Sequence, residues 1–149
     1  RHERTVGGEP VADLRIRYAP LRGIEIPVEE VPLAIDELPA ILVAAACAEG
    51  VTVLRGAEEL RAKESDRIAS MAEGLTHLGI HNTVAPDGIT VFGGTPSGGV
   101  IATHHDHRIA MSFAMAALRA SDPIIVRDCA HVATSFPGFA EYHFYDISF

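Results

Sequence analysis

The stretch DELPAILVAAACAEG, Asp36 to Gly50, decides how the fold is read. Two acids open it, and from Leu38 to Ala48 the chain carries no charge at all before Glu49 and Gly50. An acidic first turn, an unbroken apolar body and a closing glycine at a plausible C′ position predict a helix. A helix apolar on every side is a buried one. DHRIAMSFAMAALRA, Asp106 to Ala120, repeats the pattern, with an acid at the N-cap position followed by another apolar body. Ordinary α/β folds bury their central strands on both faces and cover them with amphipathic helices. Here the helices are the most apolar elements, which predicts helices inside and sheets outside.

The rest of the chain fits around these two helices. VADLRIRY, Val11 to Tyr18, reads as a strand, alternating through Leu14, Ile16 and Tyr18. A loop follows from Gly23 toward Pro27 and Pro32, and VTVLRG from Val51 is a short strand. Ile68, Met71, Leu75 and Leu78 mark an amphipathic helix that Gly79 ends and that Gly74 weakens. IHNTV and GITVFGG are strands joined by a turn at Pro86, Asp87 and Gly88. PSGGV is a further turn, GVIAT a further strand, and PIIVRD the strand after the second apolar helix. The order predicts a βαβαββ-like unit of roughly seventy residues that then begins again. The expected fold class is α/β, an inside-out lobe with buried helices and outer sheets.

With 149 residues, 48% of them apolar and 21% charged, the chain suits one domain. A formal net charge of −8 disfavours nucleic acid and anionic membrane surfaces as partners, so any anion site must be local. Leu38 to Ala48 is too short to cross a bilayer, which takes roughly 20 residues. RHERTVGGEP holds no apolar run and does not read as a secretory signal. Cys47 and Cys129 lack metal-like spacing and read as free thiols, which points to the cytoplasm.

Three helix starts carry candidate chemistry. In KESDR, Lys63, Glu64 and Arg67 would share one face if the segment is helical. Cations there oppose the helix dipole, so either the run is a screened surface network or it serves an anion. In DHR, Asp106 reads as a cap, and Arg108 offers a bidentate partner to a carboxylate or phosphate beside the helix N-terminus. Asp36 and Glu37 open the apolar helix, where an acid also suits a cap. Were the three starts to converge, a carboxylate and guanidinium set would suit proton transfer on a phosphorylated substrate. THHDH offers His104, His105 and His107, but strand alternation would send neighbours to opposite faces, so no metal is expected. Dinucleotide, phosphate-loop and nucleophile-elbow motifs are absent.

GGEPVADLRI, IDELP, AAACAEG, EELRAKESDRI, THHDHRIAMSFAMAAL and ATSFPGF together resemble the C-terminal lobe of the 3-phosphoshikimate 1-carboxyvinyltransferase (5-enolpyruvylshikimate-3-phosphate synthase) family, from about Thr5 to Glu141. KESDRI and DHRIAM in this order carry most of the specificity. The resemblance implies a two-lobe enolpyruvyl transferase of βαβαββ units with helices inside, of which residues 1–149 would form one lobe. It implies transfer of the enolpyruvyl group of phosphoenolpyruvate to the 5-hydroxyl of shikimate 3-phosphate, with release of phosphate and without metal or organic cofactor. By motif, Asp36 would accept the proton of the attacking hydroxyl. Glu64 would protonate the methylene carbon, Lys63 would hold the shikimate side, and Arg67 with Arg108 would grip phosphoenolpyruvate.

Three departures stand beside the resemblance. Thr134 occupies the place where many relatives have Lys before Thr-Phe-Pro, as in the branch noted for tolerance of the inhibitor glyphosate. Residues 143–149, HFYDISF, diverge from the usual ending. The N-terminal lobe, with its own substrate-binding residues, is missing, so the isolated chain is expected to be inactive. Two rival readings remain at this point: a catalytically silent binding or structural domain, and the related transferase that acts on a UDP-sugar.

Overall fold

The structure, a computed structural model, describes residues 2–141, and the divergent segment 143–149 lies outside the described residues. The chain opens with an antiparallel hairpin, β1 (His2–Val6) and β2 (Glu9–Asp13), in register from His2 against Asp13 to Val6 against Glu9. Gly7 and Gly8 turn it with φ of 61° and 91°, the positive pair that a tight two-residue hairpin loop requires. The strand expected over Val11 to Tyr18 therefore lies earlier. Leu14, Ile16 and Tyr18 are 69%, 88% and 85% exposed, and no strand lies beside them among the described residues. Alternation of side chains does not make a strand without a ladder partner.

From Leu21 the chain runs parallel to β3 (Val51–Leu54), with bridges between Arg22 and Glu49 and between Glu25 and Val53. β3 pairs with β5 (Gly88–Phe92), which pairs with β4 (Asn82–Ala85), all antiparallel. β6 (Gly99–Ile101) and β7 (Ile124–Val126) form a separate parallel pair connected through α3 (His107–Ala116). These strands alternate. Ile89 and Val91 of β5 and Ile124 and Val126 of β7 face the core, while Phe92, Val100 and Ile125 face out.

Helices α1 (Leu38–Ala46), α2 (Arg67–His77) and α3 pack against one another beneath the sheets. Leu38 and Leu42 of α1, Ile68, Met71 and Leu75 of α2, and Ile109 and Phe113 of α3 are all within 1% of full burial. At the α2–α3 crossing, a Cβ on Gly74 would stand 2.2 Å from Cζ of Phe113, so the glycine is the notch that receives that ring. This is the inverted layering expected from the sequence. It is incomplete in one respect: Ala40 and Ala44 on α1 and Met115 on α3 are exposed, so the apolar helices are not buried all round.

Helix limits also differ from those expected. α1 begins at Leu38, with Glu37 at the N-cap making no side-chain cap bond, and it ends in Cys47 rather than at Gly50. Lys63 is extended, following a 3₁₀ turn over Glu58–Ala62, so KESDR enters the helix only at Arg67. α3 stops at Ala116. No helix among the described residues is long and apolar enough to cross a membrane.

Candidate functional site

The geometry is built around Arg67. Asp66 caps α2, its Oδ1 accepting from the Ala69 amide at 3.0 Å while Arg61 holds its Oδ2 at 2.7 Å. Arg67 is thereby the first helical residue, and its side chain turns into the protein at 1% exposure. A buried guanidinium requires partners for all its edges. Nε donates to Asp106 Oδ2 at 2.8 Å, NH1 to Asp36 Oδ1 at 3.0 Å and NH2 to Glu64 Oε2 at 2.6 Å. The three segments singled out in the sequence thus meet at one side chain. Chain separations of 31 and 39 residues close on it from Asp36 and Asp106.

Asp106 is fully buried. Its Oδ1 caps α3, accepting from the amides of Arg108 at 2.9 Å and Ile109 at 3.4 Å. Its Oδ2 accepts from Arg67 and from the Ser65 hydroxyl at 3.1 Å. Burial pushes this carboxyl upward, but the Arg67 bond and charge with the Arg108 amide and Ser65 outweigh it and hold the group below the ordinary aspartate range. Arg67 is correspondingly held charged: burial works against the charge, and Asp106, Glu64 and Asp36 more than offset it.

Asp36 is 44% exposed at the rim. Some loss of water raises its pKa, yet Arg108, Arg67 and Lys63 together lower it below the usual value. Arg108 NH1 donates to the Asp36 carbonyl at 2.8 Å, while NH2 lies 3.5 Å from Asp36 Oδ2 and NH1 3.8 Å from Glu37 Oε1. Glu64 is half exposed, and Lys63 is paired with Glu59 rather than with the Arg67 cluster. The cluster therefore gathers Asp36, Glu64, Arg67 and Arg108, with Lys63 next to it and tied to Glu59.

Two clefts flank this charge cluster. One of about 160 Å³ runs past Asp36, Glu37, Arg108 and Met111, and one of about 330 Å³ past Glu64, Ser65, Ser70 and Glu73. A larger hollow of about 500 Å³ lies elsewhere, beside Tyr18, Pro20, Leu21 and Cys47. Convergent charge, not size, marks the site.

In the sequence Asp106 announces only a cap, and Ser65 announces no role. The capping motif reveals one carboxylate oxygen, and no spacing rule announces that the other reaches Arg67. THHDH is not a strand but a turn, with His104 and His105 at φ of 51° and 60°. His104 Nε2 meets Glu73 at 2.9 Å, the His105 ring lies edge-on to His131, and His107 is the first residue of α3. Among the described residues no group of three or more His, Cys, Asp or Glu could hold a metal. Thr134 lies in a short helix, α4 (Val132–Ser135), and donates its hydroxyl to the His131 carbonyl.

A sequence profile of the family described as EPSP synthase (3-phosphoshikimate 1-carboxyvinyltransferase) matches residues 1–142. The 3-phosphoshikimate 1-carboxyvinyltransferase of Methylococcus capsulatus is 66% identical over 138 residues, covering 93% of this chain and 32% of that protein. The Alkalilimnicola ehrlichii protein of the same name is 63% identical over 142 residues, covering 95% of this chain and 32% of its own. In structure, EPSP synthase from Acinetobacter baumannii superposes with a TM-score of 0.90 at 55% identity, over 94% of this chain and 34% of that one. This chain thus spans about a third of the length of the curated relatives it matches. Its inside-out layering accords with that superposition, and the chain belongs to the EPSP synthase (3-phosphoshikimate 1-carboxyvinyltransferase) family.

Proposed function

We propose that this chain supplies one wall of the active site of a two-lobe cytoplasmic enzyme that transfers the enolpyruvyl group of phosphoenolpyruvate to the 5-hydroxyl of shikimate 3-phosphate, releasing phosphate. The observation that carries the reading is the meeting of Asp36, Glu64 and Arg108 around the buried guanidinium of Arg67. Asp36, ionised at neutral pH as an ordinary carboxylate is, takes the proton of the attacking hydroxyl. Glu64 gives a proton to the methylene carbon as the deprotonated hydroxyl oxygen bonds to the adjacent carbon, forming a tetrahedral adduct; the Glu64 carboxylate then takes a proton back from the new methyl group, the C=C bond re-forms, and the C–O bond to phosphate breaks to release it. Arg67 and Arg108 bind the carboxylate or phosphate of phosphoenolpyruvate, and Lys63, paired here with Glu59, helps to hold the shikimate 3-phosphate.

The NH1 and NH2 groups of Arg67 donate to Asp36 and Glu64, both about half exposed. The remaining lobe completes the site. It fixes both substrates in near-attack geometry and excludes water, without which the charges at this rim are screened.

The test uses three proteins: the isolated chain, a chimera in which it replaces the matching segment of the Methylococcus capsulatus relative, and that chimera carrying Glu64→Gln. Phosphate release with both substrates should be absent from the first and present in the second. The third should lose turnover by about 10²- to 10⁴-fold while substrate affinity changes little. Near-normal turnover in the Glu64→Gln chimera would sink the assignment.

A further inference from the structure

We propose that Asp106 is a positioning residue that clamps Arg67 through its Nε edge and so aims the NH1 and NH2 groups at the substrate anion. The clamp is defined by the structure alone; its effect on phosphoenolpyruvate rests on the proposed function. Asp106 and Arg67 are 0% and 1% exposed, which leaves no water to take the place of either partner. An arginine on a flexible stem has no preferred guanidinium orientation of its own, and a fixed acceptor at Nε removes that freedom. Asp36 and Glu64 cannot supply this constraint, since they bond the terminal NH1 and NH2 groups and are half exposed.

The same carboxylate joins the clamp to the fold. One oxygen accepts the first amides of α3, and the other accepts Arg67 and Ser65. The mouth of α3 and the first residue of α2 are therefore registered to each other through one side chain. Arg108, immediately after the cap, is placed by the same turn. Both candidate anion-binding arginines thus take their position from Asp106, Arg67 by direct contact and Arg108 through the helix start.

Asp106→Asn separates the two tasks. Asparagine is as good an N-cap as aspartate, so the α3 start survives, but its amide N–H₂ confronts Arg67 Nε–H with donor against donor. Two readouts decide the matter. In the 149-residue chain, the Arg67 Nε–H resonance should be shifted and protected from exchange, and in Asp106→Asn it should move and exchange rapidly. In the chimera, KM for phosphoenolpyruvate should rise about tenfold or more, with KM for shikimate 3-phosphate within about twofold.

An unmoved, still protected Arg67 resonance overturns the clamp whatever the enzyme does. A moved resonance with equal changes in both KM values overturns the positioning role and leaves a structural one. If Asp106→Asn does not fold, Ser65→Ala removes only the hydroxyl bond to the same oxygen. It should shift the same resonance and raise only the phosphoenolpyruvate KM, by a few-fold, and no change in either would refute the proposal. An unsubstituted chimera without turnover would overturn the functional reading, and the resonance would then still decide the clamp.

Discussion

Replacing Gly74 by alanine sets two physical effects of opposite sign against each other. By local propensity the change stabilises: alanine in a helix interior is better than glycine by about 1 kcal/mol. In this structure the new Cβ would lie 2.2, 2.5 and 3.0 Å from Cζ, Cε2 and Cε1 of Phe113. Ordinary carbon contacts lie at about 3.5–4 Å, so the ring tip must retreat by roughly 1.5 Å. Phe113 is 0% exposed among packed helices, and it has no solvent side to move into. Overpacking of this kind costs about 1–3 kcal/mol, and this overlap belongs at the upper end. The net expectation for Gly74→Ala is a loss of about 1–2 kcal/mol, read as a lower urea midpoint at unchanged m-value. Phe113→Leu shortens the opposing side chain, so the double variant should be less destabilised than the sum of the singles, with a coupling of about 1 kcal/mol or more. A Gly74→Ala chain more stable than the parent, by the amount that helix propensity gives, would refute the packing argument.

The two arginines should separate by stability. Arg67→Ala strands the buried Asp106 carboxylate and should cost about 3–5 kcal/mol, whereas Arg108, about one-third exposed, should cost under about 1 kcal/mol; urea unfolding of both variants checks this, and equal costs would contradict the burial argument. Acid should unfold the chain through the same site. Asp36 and Asp106 have folded pKa values below their unfolded ones, so their contribution is fully present above about pH 4 and is lost as pH falls through the folded values. Melting temperature should therefore drop below about pH 4, and less steeply in Asp106→Asn than in the parent; parallel slopes would remove Asp106 from that account.

Much of the fold was legible because the signals involved are local. The apolar bodies of α1 and α3, the three- and four-residue spacing through Ile68, Met71 and Leu75, and the Pro86-Asp87-Gly88 turn each depend on residues close in the chain. Hydrophobic content alone ordered the layers, since elements without a polar face must be covered. The motif segments also singled out the helix starts that the fold brings together at Arg67.

What remained open depends on partners far away in the chain. Leu14 to Tyr18 alternates as a strand would, but a strand exists only where a neighbour satisfies its backbone, and β2 found one in β1 instead. Gly74 reads locally as a weak point of α2, and only the crossing of α3 shows it to be the seat of Phe113. Asp106 reads as a cap because capping spans three residues, whereas its hold on Arg67 spans 39. Nothing in the spacing of charges along a chain states which carboxylate will meet which guanidinium. That choice follows from how α1, α2 and α3 pack, because burying Arg67 is tolerable only where the packing brings Asp106, Asp36 and Glu64 within hydrogen-bonding reach.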